Sequence, residues 1–232
     1  MKRHWLFNPS RIDVFNNPYY IIKRGIFINV RDLAPKIDHG RLLDVGCESK
    51  PYRELFPNAI EYVGLDYDSE SNRNNKMVDI FYESGGKFPL EDGSFDNAIS
   101  TEVLEHVFEP DKFISEIHRV LKPGGKLLLT TPLLWEEHFE PVDYGRYSSY
   151  GLKYLMEKHG FRIIEQRKIC PSTQAIAQMI VLYTHRFGHG RIYKIFIGFV
   201  TSLGYLLERF FPYTNSFYLC NVVLVEKKIN LT

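Results

Sequence analysis

A chain of 232 residues with 29 Lys and Arg against 28 Asp and Glu carries a formal charge of +1, so nothing in its overall electrostatics favours nucleic acid as a partner. The three cysteines, Cys47, Cys170 and Cys220, are far apart without paired metal spacing, and no apolar leader follows the basic opening at 1–5; both point to a reducing cytoplasm. The longest uncharged runs, 169–184, 195–207 and 210–225, are interrupted by polar residues or too short for the about 18–20 apolar residues of a membrane span.

In chain order, a Pro- and Asn-rich lead-in precedes a predicted helix over 19–37. Short apolar runs then alternate with helix-like stretches, the pattern of a parallel sheet covered by helices. Strands are predicted at 41–46 (RLLDVG), 62–66 (YVGLD), 77–80 (MVDI), 95–100 (FDNAIS) and 126–131 (KLLLTT). Phe113, Ile117, Val120 and Leu121 recur at helical spacing, so 110–121 is predicted as an amphipathic helix opened by Pro110 and ended by the 122–125 turn, KPGG. A helix over 148–159 has Ser148 or Ser149 as cap and Gly160 as stop. Strands follow at 161–169 and 217–225, with two hydrophobic helices between them at 173–187 and 192–211, broken by Gly188, His189 and Gly190. The expected architecture is α/β: a Rossmann-like, doubly wound, mostly parallel seven-stranded sheet. An N-terminal helical arm (1–40) precedes a main domain (41–232) that carries a helical insertion (171–215) before the last strand.

Gly46 sits at the tip of the first strand, where α/β sheets bind ligands, and Asp66 ends the second strand 22 residues after Asp44. That interval suits a carboxylate gripping the hydroxyls of a ribose. A dinucleotide needs a loop of three glycines so that bare amides approach a diphosphate. Here the loop reads Gly46-Cys47-Glu48-Ser49-Lys50-Pro51, one glycine with a carboxylate beside it. Glu48 would repel a diphosphate and tolerates an ammonium and a sulfonium, which favours S-adenosylmethionine; Lys50 partly offsets that charge argument.

LLDVGCESKPY, YVGLDYD, Asp79-Ile80, FPLEDGSFDNAISTEVLEHV and LKPGGKLLLTTP resemble, in order and spacing, the successive motifs of class I methyltransferases of the type 11 group, over about residues 41–167. The resemblance implies an enzyme using S-adenosyl-L-methionine. By it, Asp44, Gly46 and Cys47 line the methionine end and Asp66 with Tyr67 holds the ribose. Asp79 and Ile80 meet the adenine, and Thr101, Glu102 and Val103 lie under the cofactor. The family usually has glycine where Glu48 stands, so either that side chain turns outward or the loop is remodelled.

Methyl transfer to a hydroxyl gains from a base that takes its proton. Two segments offer one: His106, next to Glu105 after the fourth strand, and His138 with Asp143, Arg146 and Tyr147 after the fifth. Glu102, Glu105 and His106 also look like the metal-binding stretch of some O-methyltransferases acting on quinone precursors or RNA ends, with His138 completing the shell; the bland alternative is ordinary helix residues, and no metal is assigned. The segment 138–147, HFEPVDYGRY, resembles one in methyltransferases associated with surface polysaccharide synthesis. The expected acceptor is therefore a sugar, glycan or lipid-linked saccharide. The alternatives are a small aromatic or quinone-like acceptor, or a non-catalytic cofactor-binding protein of the same fold. His118 and His159 are expected to be structural. The insertion, with Arg191, Lys194 and Arg209 beside a broad apolar surface, is expected to pack on the arm or on a second copy, to touch a membrane surface, or to act as an aromatic lid.

Overall fold

The computed structural model describes residues 7–211 and 214–229; the basic opening at 1–5 lies outside these. The strands are β1 (Arg41–Val45), β2 (Glu61–Tyr67), β3 (Ile80–Tyr82), β4 (Phe95–Thr101), β5 (Leu121–Pro132), β6 (Phe161–Pro171) and β7 (Tyr218–Lys227). They form one seven-stranded sheet in the order β3-β2-β1-β4-β5-β7-β6, and the pairings of β1 with β2 and β4, of β2 with β3 and of β4 with β5 are parallel. The helices are α1 (Tyr20–Leu33), the one-turn α2 (Glu70–Arg73), α3 (Pro110–Val120), α4 (Ser149–Lys158), α5 (Ser172–His185) and α6 (Gly190–Leu207). Among the described residues no helix is long and apolar enough to cross a membrane.

The inner strands read as continuous apolar runs because both faces of the sheet are covered. Leu42, Leu43, Val45, Leu65, Ala98, Ile99, Leu127 and Leu129 are fully buried. On one face the core joins Leu43, Leu65 and Leu127 to Phe113, Ile117 and Val120 of the predicted apolar stripe and to Ile114, which adds to it, whereas Leu121 belongs to β5. Ser148 caps α4 by accepting a hydrogen bond from the Gly151 amide, 3.1 Å.

Element ends shift from the sequence reading by a few residues, as where α1 stops at Leu33 and not 37 and α6 at Leu207 and not 211, and two of the differences have a visible cause. The third strand is Ile80–Tyr82, not 77–80: the Asp79 amide still donates to the Gly64 carbonyl (2.9 Å), but the Gly64 amide is taken by the Asp79 carboxylate (2.6 Å) in place of a main-chain carbonyl of residues 77–79. The turn at 122–125 falls within the range of β5: Phe95 pairs with Leu121 and Asn97 with Lys126, so β5 advances five residues against two on β4. The surplus is extruded as a bulge.

The chain divides into two compact units. One comprises Met1–Asn29, Leu133–Trp135 and Lys168–Cys220; the other comprises Val30–Pro132, Glu136–Arg167 and Asn221–Thr232. Arm and insertion thus share the first unit, whose limits fall at other residues than 40, 171 and 215. Within it the buried amide of Gln178 on α5 accepts from the Ile22 amide (3.3 Å) and donates to the Pro18 carbonyl (2.7 Å), tying the insertion to the start of α1. Gly198 of α6 lies so close to Phe15 that a Cβ there would sit 2.0 Å from the ring. Gly198→Val is therefore expected to destabilise this unit by about 1–3 kcal/mol through overpacking. Urea denaturation and faster proteolytic clipping of the first 20 residues or so would register it.

Candidate active site

The strand order reverses at β1, which lies between β2 and β4, so the chain leaves the strand ends in opposite directions and opens a crevice there. Gly46 turns out of β1 with φ of 75°, and a Cβ on it would meet Val103 at 2.3 Å. Only glycine lets the loop after β4 close over it. The amides of Gly46 and Cys47 donate to the Leu65 carbonyl (2.8 and 3.2 Å), that of Glu48 to Asp66 Oδ2 (2.9 Å) and that of Lys50 to the Cys47 carbonyl (2.7 Å). Donors committed to β2 and to the loop itself are not available to cradle a diphosphate, which is the physical reason this glycine-poor loop does not suit a dinucleotide.

Glu48 and Lys50 both adopt left-handed φ, 44° and 53°. The loop keeps the conformation that glycine favours, and the Glu48 side chain turns outward to solvent. Lys50 departs from the sequence reading. Its side chain is buried, its ammonium pairs with Asp79, and it lies 5.9 Å from the Tyr62 ring centroid, so its charge is spent beneath the loop.

Three carboxylates stand at or beside neighbouring strand ends. Asp44 is buried and accepts the Tyr62 hydroxyl at 2.7 Å; burial pushes its carboxyl up to about 7, against the pull of that hydrogen bond and of Lys50. Asp66 accepts from Glu48 on one oxygen and from the Tyr67 amide (2.9 Å) and Asn72 (3.0 Å) on the other, which leaves one oxygen with capacity for a ligand hydroxyl. Burial raises its pKa despite these bonds. Asp79, which precedes Ile80 at the start of β3, is held low: burial opposes ionisation, but the Gly64 amide and Lys50 outweigh it, and its side chain stays 46% exposed. Tyr67 is exposed beside Asp66, and Thr101 ends β4, followed by Glu102 and by Val103, which lies against Gly46. A row of acidic groups whose one buried cation is already paired fits a ligand that is itself cationic, with hydroxyls and an amino-bearing base. Cys47 is buried and burial raises its thiol pKa, as expected for a packing residue without reactivity. The roles of Tyr62 and of the buried Lys50 escaped the sequence reading because nothing in their spacing announces a partner 18 or 29 residues away.

The turn after Val103 runs directly into the second group. His106 Nδ1 meets the Val142 carbonyl at 2.7 Å, so it carries the proton and leaves Nε2 as an acceptor. Burial lowers its pKa, keeping the imidazole neutral at pH 7. The His138 ring lies 4.7 Å from it, edge to face, with its Nδ1 3.3 Å from Asp143 Oδ2 and 3.3 Å from the Glu136 carbonyl. Asp143 also accepts the His138 amide (2.9 Å) and both terminal nitrogens of Arg146, whose charge holds that carboxyl far below the usual range. Asp143 and Arg146, assigned from the sequence to catalysis, here brace the loop that carries His138. Tyr147 is half-buried against the core, and its carbonyl accepts from Asn221 at 2.7 Å. His118 packs on Phe161 and His159 pairs with Asp111, structural places for both.

Glu105 is fully buried, burial raises its carboxyl pKa well above normal, and Oε1 has no hydrogen-bond partner among the described residues. Glu105, His106 and His138 each offer a ligand atom within 4.8 Å of the others, so this is the group that a divalent cation would use.

Residues 43–129 match the family model described as Methyltransferase domain. A protein of Mycolicibacterium smegmatis described as a probable S-adenosylmethionine-dependent methyltransferase is 34% identical over 96 residues, covering 39% of this chain and 37% of the relative. A demethylmenaquinone methyltransferase of Renibacterium salmoninarum is 29% identical over 135 residues, covering 55% and 53%. The chain thus spans about half or less of the length of these curated relatives. Among solved structures, the [4+2]-cyclase SpnF superposes with a TM-score of 0.57 at 24% identity, covering 87% of this chain and 81% of that one. Phosphoethanolamine N-methyltransferase 2 of Haemonchus contortus, in complex with S-adenosyl-L-methionine, does so with a TM-score of 0.55 at 16% identity, covering 98% and 60%. At these identities the likeness is one of fold, the Rossmann-like architecture of methyltransferases, and a cyclase on the same frame shows that the fold alone does not fix the chemistry.

Two substitutions probe the loop. Glu48→Gly relieves the left-handed strain and is expected to raise stability by up to about 1 kcal/mol, whereas Gly46→Ala, strained in φ and driven into Val103, is expected to lower it by about 2 kcal/mol or more. Thermal unfolding of the two variants against the parent measures both.

Proposed function

We propose that this chain is an S-adenosylmethionine-dependent methyltransferase that O-methylates a hydroxyl-rich acceptor: a sugar, a glycan or a lipid-linked saccharide. The observation carrying the reading is the neutral His106, with its Nε2 left as an acceptor 4.0 Å from Glu105 Oε1 and His138 beside it, directly after the strand end that borders a carboxylate-lined crevice. Exposed aromatic rings surround the pair, Phe139 within 5.4 Å of both imidazoles and Phe108 against Tyr144 at 5.2 Å, and flat apolar faces of this kind suit the C–H faces of a saccharide. The match of 43–129 to the methyltransferase-domain model and the cofactor named with the Haemonchus enzyme support the donor.

When bound, S-adenosylmethionine supplies a methyl group already activated on a sulfonium. The residues of this chain do the rest. Asp44 faces the cationic end, Asp66 takes the ribose hydroxyls, and Asp79 with Ile80 meets the adenine. His138, held by Asp143 and Arg146, and His106 orient the acceptor hydroxyl, and one Nε2 takes its proton. Burial raises the Glu105 carboxyl pKa, and the two imidazoles are assigned as the bases, without a metal.

Asp66→Ala is expected to weaken cofactor binding at least about tenfold by calorimetry. Because Asp44 holds its proton to about pH 7 while a cationic ligand favours its carboxylate, cofactor affinity is expected to rise from pH 6 to 7 and level off above, with proton release on binding below pH 7. Asp44→Asn should flatten that slope; a parent whose affinity is the same at pH 6 and 8 would refute the assignment. His138→Ala is expected to lower methyl transfer about 10²-fold with little change in cofactor affinity, read by mass spectrometry of saccharides incubated with labelled donor. Transfer only to amines or quinols would sink the proposed acceptor class, and activity lost to EDTA and restored by Mg²⁺ would recast Glu105, His106 and His138 as ligands.

A further inference from the structure

The two helices of the insertion bury one face and expose another that is almost wholly apolar. On α5 the exposed positions Ile176, Ile180 and Tyr183, continued by Phe187 just beyond its end, follow one another by four, three and four residues, a single stripe. On α6, Ile192, Ile195, Phe199 and Leu206 do the same by three, four and seven. The opposite faces are the buried ones, Val181 and Leu182 on α5 and Ile197, Val200 and Gly204 on α6, so the stripes are not a core turned inside out. Ile192 is 85% exposed, Phe187 71% and Phe199 64%. Apolar residues scattered singly over a surface need no explanation; two aligned stripes on paired helices mark an interaction surface.

Charge says what kind. From 169 to 207 the chain contains no Asp or Glu. The turn between the helices and the first turn of α6 carry Arg186, Arg191 and Lys194, all exposed, next to Phe187 and Ile192. A second copy of the same surface would bring no carboxylate to meet these cations, whereas an anionic headgroup layer meets them and gives the stripes an acyl boundary to enter. Since neither α5 nor α6 is long and apolar enough to cross a bilayer, the pair would lie in the interface.

We propose that the exposed faces of α5 and α6, with the basic turn joining them, dock this protein on an anionic lipid bilayer. Each cation near such a surface multiplies affinity about fivefold, so three should separate anionic from neutral vesicles by about 100-fold. The test is flotation of the full chain with phosphatidylcholine vesicles, with and without about one-third phosphatidylglycerol. The expected result is capture by the anionic vesicles, at least about 100-fold stronger than by neutral ones and weakened by salt. Arg191→Glu with Lys194→Glu should lower it at least about tenfold, and Phe199→Asp should lower it to a similar extent. Unchanged thermal unfolding would show that these exposed sites leave the fold intact. Absence of capture by anionic vesicles, or capture that neither variant weakens, overturns the proposal. So does a dimer by light scattering that Phe199→Asp dissociates while vesicles capture neither form, since the face would then belong to a second copy. The readout does not involve methyl transfer: a chain that floats with vesicles yet binds no S-adenosylmethionine would sink the enzymatic reading alone.

Discussion

The hydrogen bond from the Glu48 amide to the Asp66 carboxylate, with the two amides before it on the Leu65 carbonyl, fixes the loop after β1 against the end of β2. It sets where the loop lies at the strand ends and which of its donors remain for a ligand. The donors that a phosphate would need are spent within the protein, and the carboxylates that remain can answer only a cation, a hydroxyl or an amine. Val103 closing on Gly46 then carries the chain from the end of β4 straight to His106, so the two halves of the site are set by one close approach.

Burial does most of the chemical tuning. It raises the carboxyl of Asp44 to about 7 and lowers His106, which leaves the first poised to ionise when positive charge arrives and the second neutral and basic. Charge pairing does the reverse where a group must stay fixed: Asp143 is held ionised by Arg146, and that pair locks the loop bearing His138. Groups that act and groups that brace are thus separated by whether desolvation or an ion pair dominates, although they lie within five residues of one another in the case of His138 and Asp143.

Much of the site was legible in the chain. Asp44, Gly46, Asp66 and Asp79 end or follow apolar runs, and a carboxylate that closes a buried strand has few places to be except the ligand edge. The helix at 110–120 and the cap at Ser148 were equally plain, because period and capping are local. Lys50 was not legible, since a lysine in a loop ordinarily faces water and only the position of Asp79 draws it inward. Nor were the partners of Arg146 legible: Asp143 and the Glu136 carbonyl are reached only once the loop has folded back on itself.

By itself the sequence determined the α/β frame, the acidic strand ends and the glycine at the first turn, because buried strands, amphipathic helices and left-handed turns are written within a few residues of each other. The tertiary structure alone decided that Glu48 keeps a glycine-like backbone with its side chain in solvent, that His106 and His138 stack edge to face, and that the insertion turns an apolar stripe outward on each helix. Each of these depends on which atoms lie within a few ångströms across long stretches of chain, and residue order does not encode such distances until the core has packed.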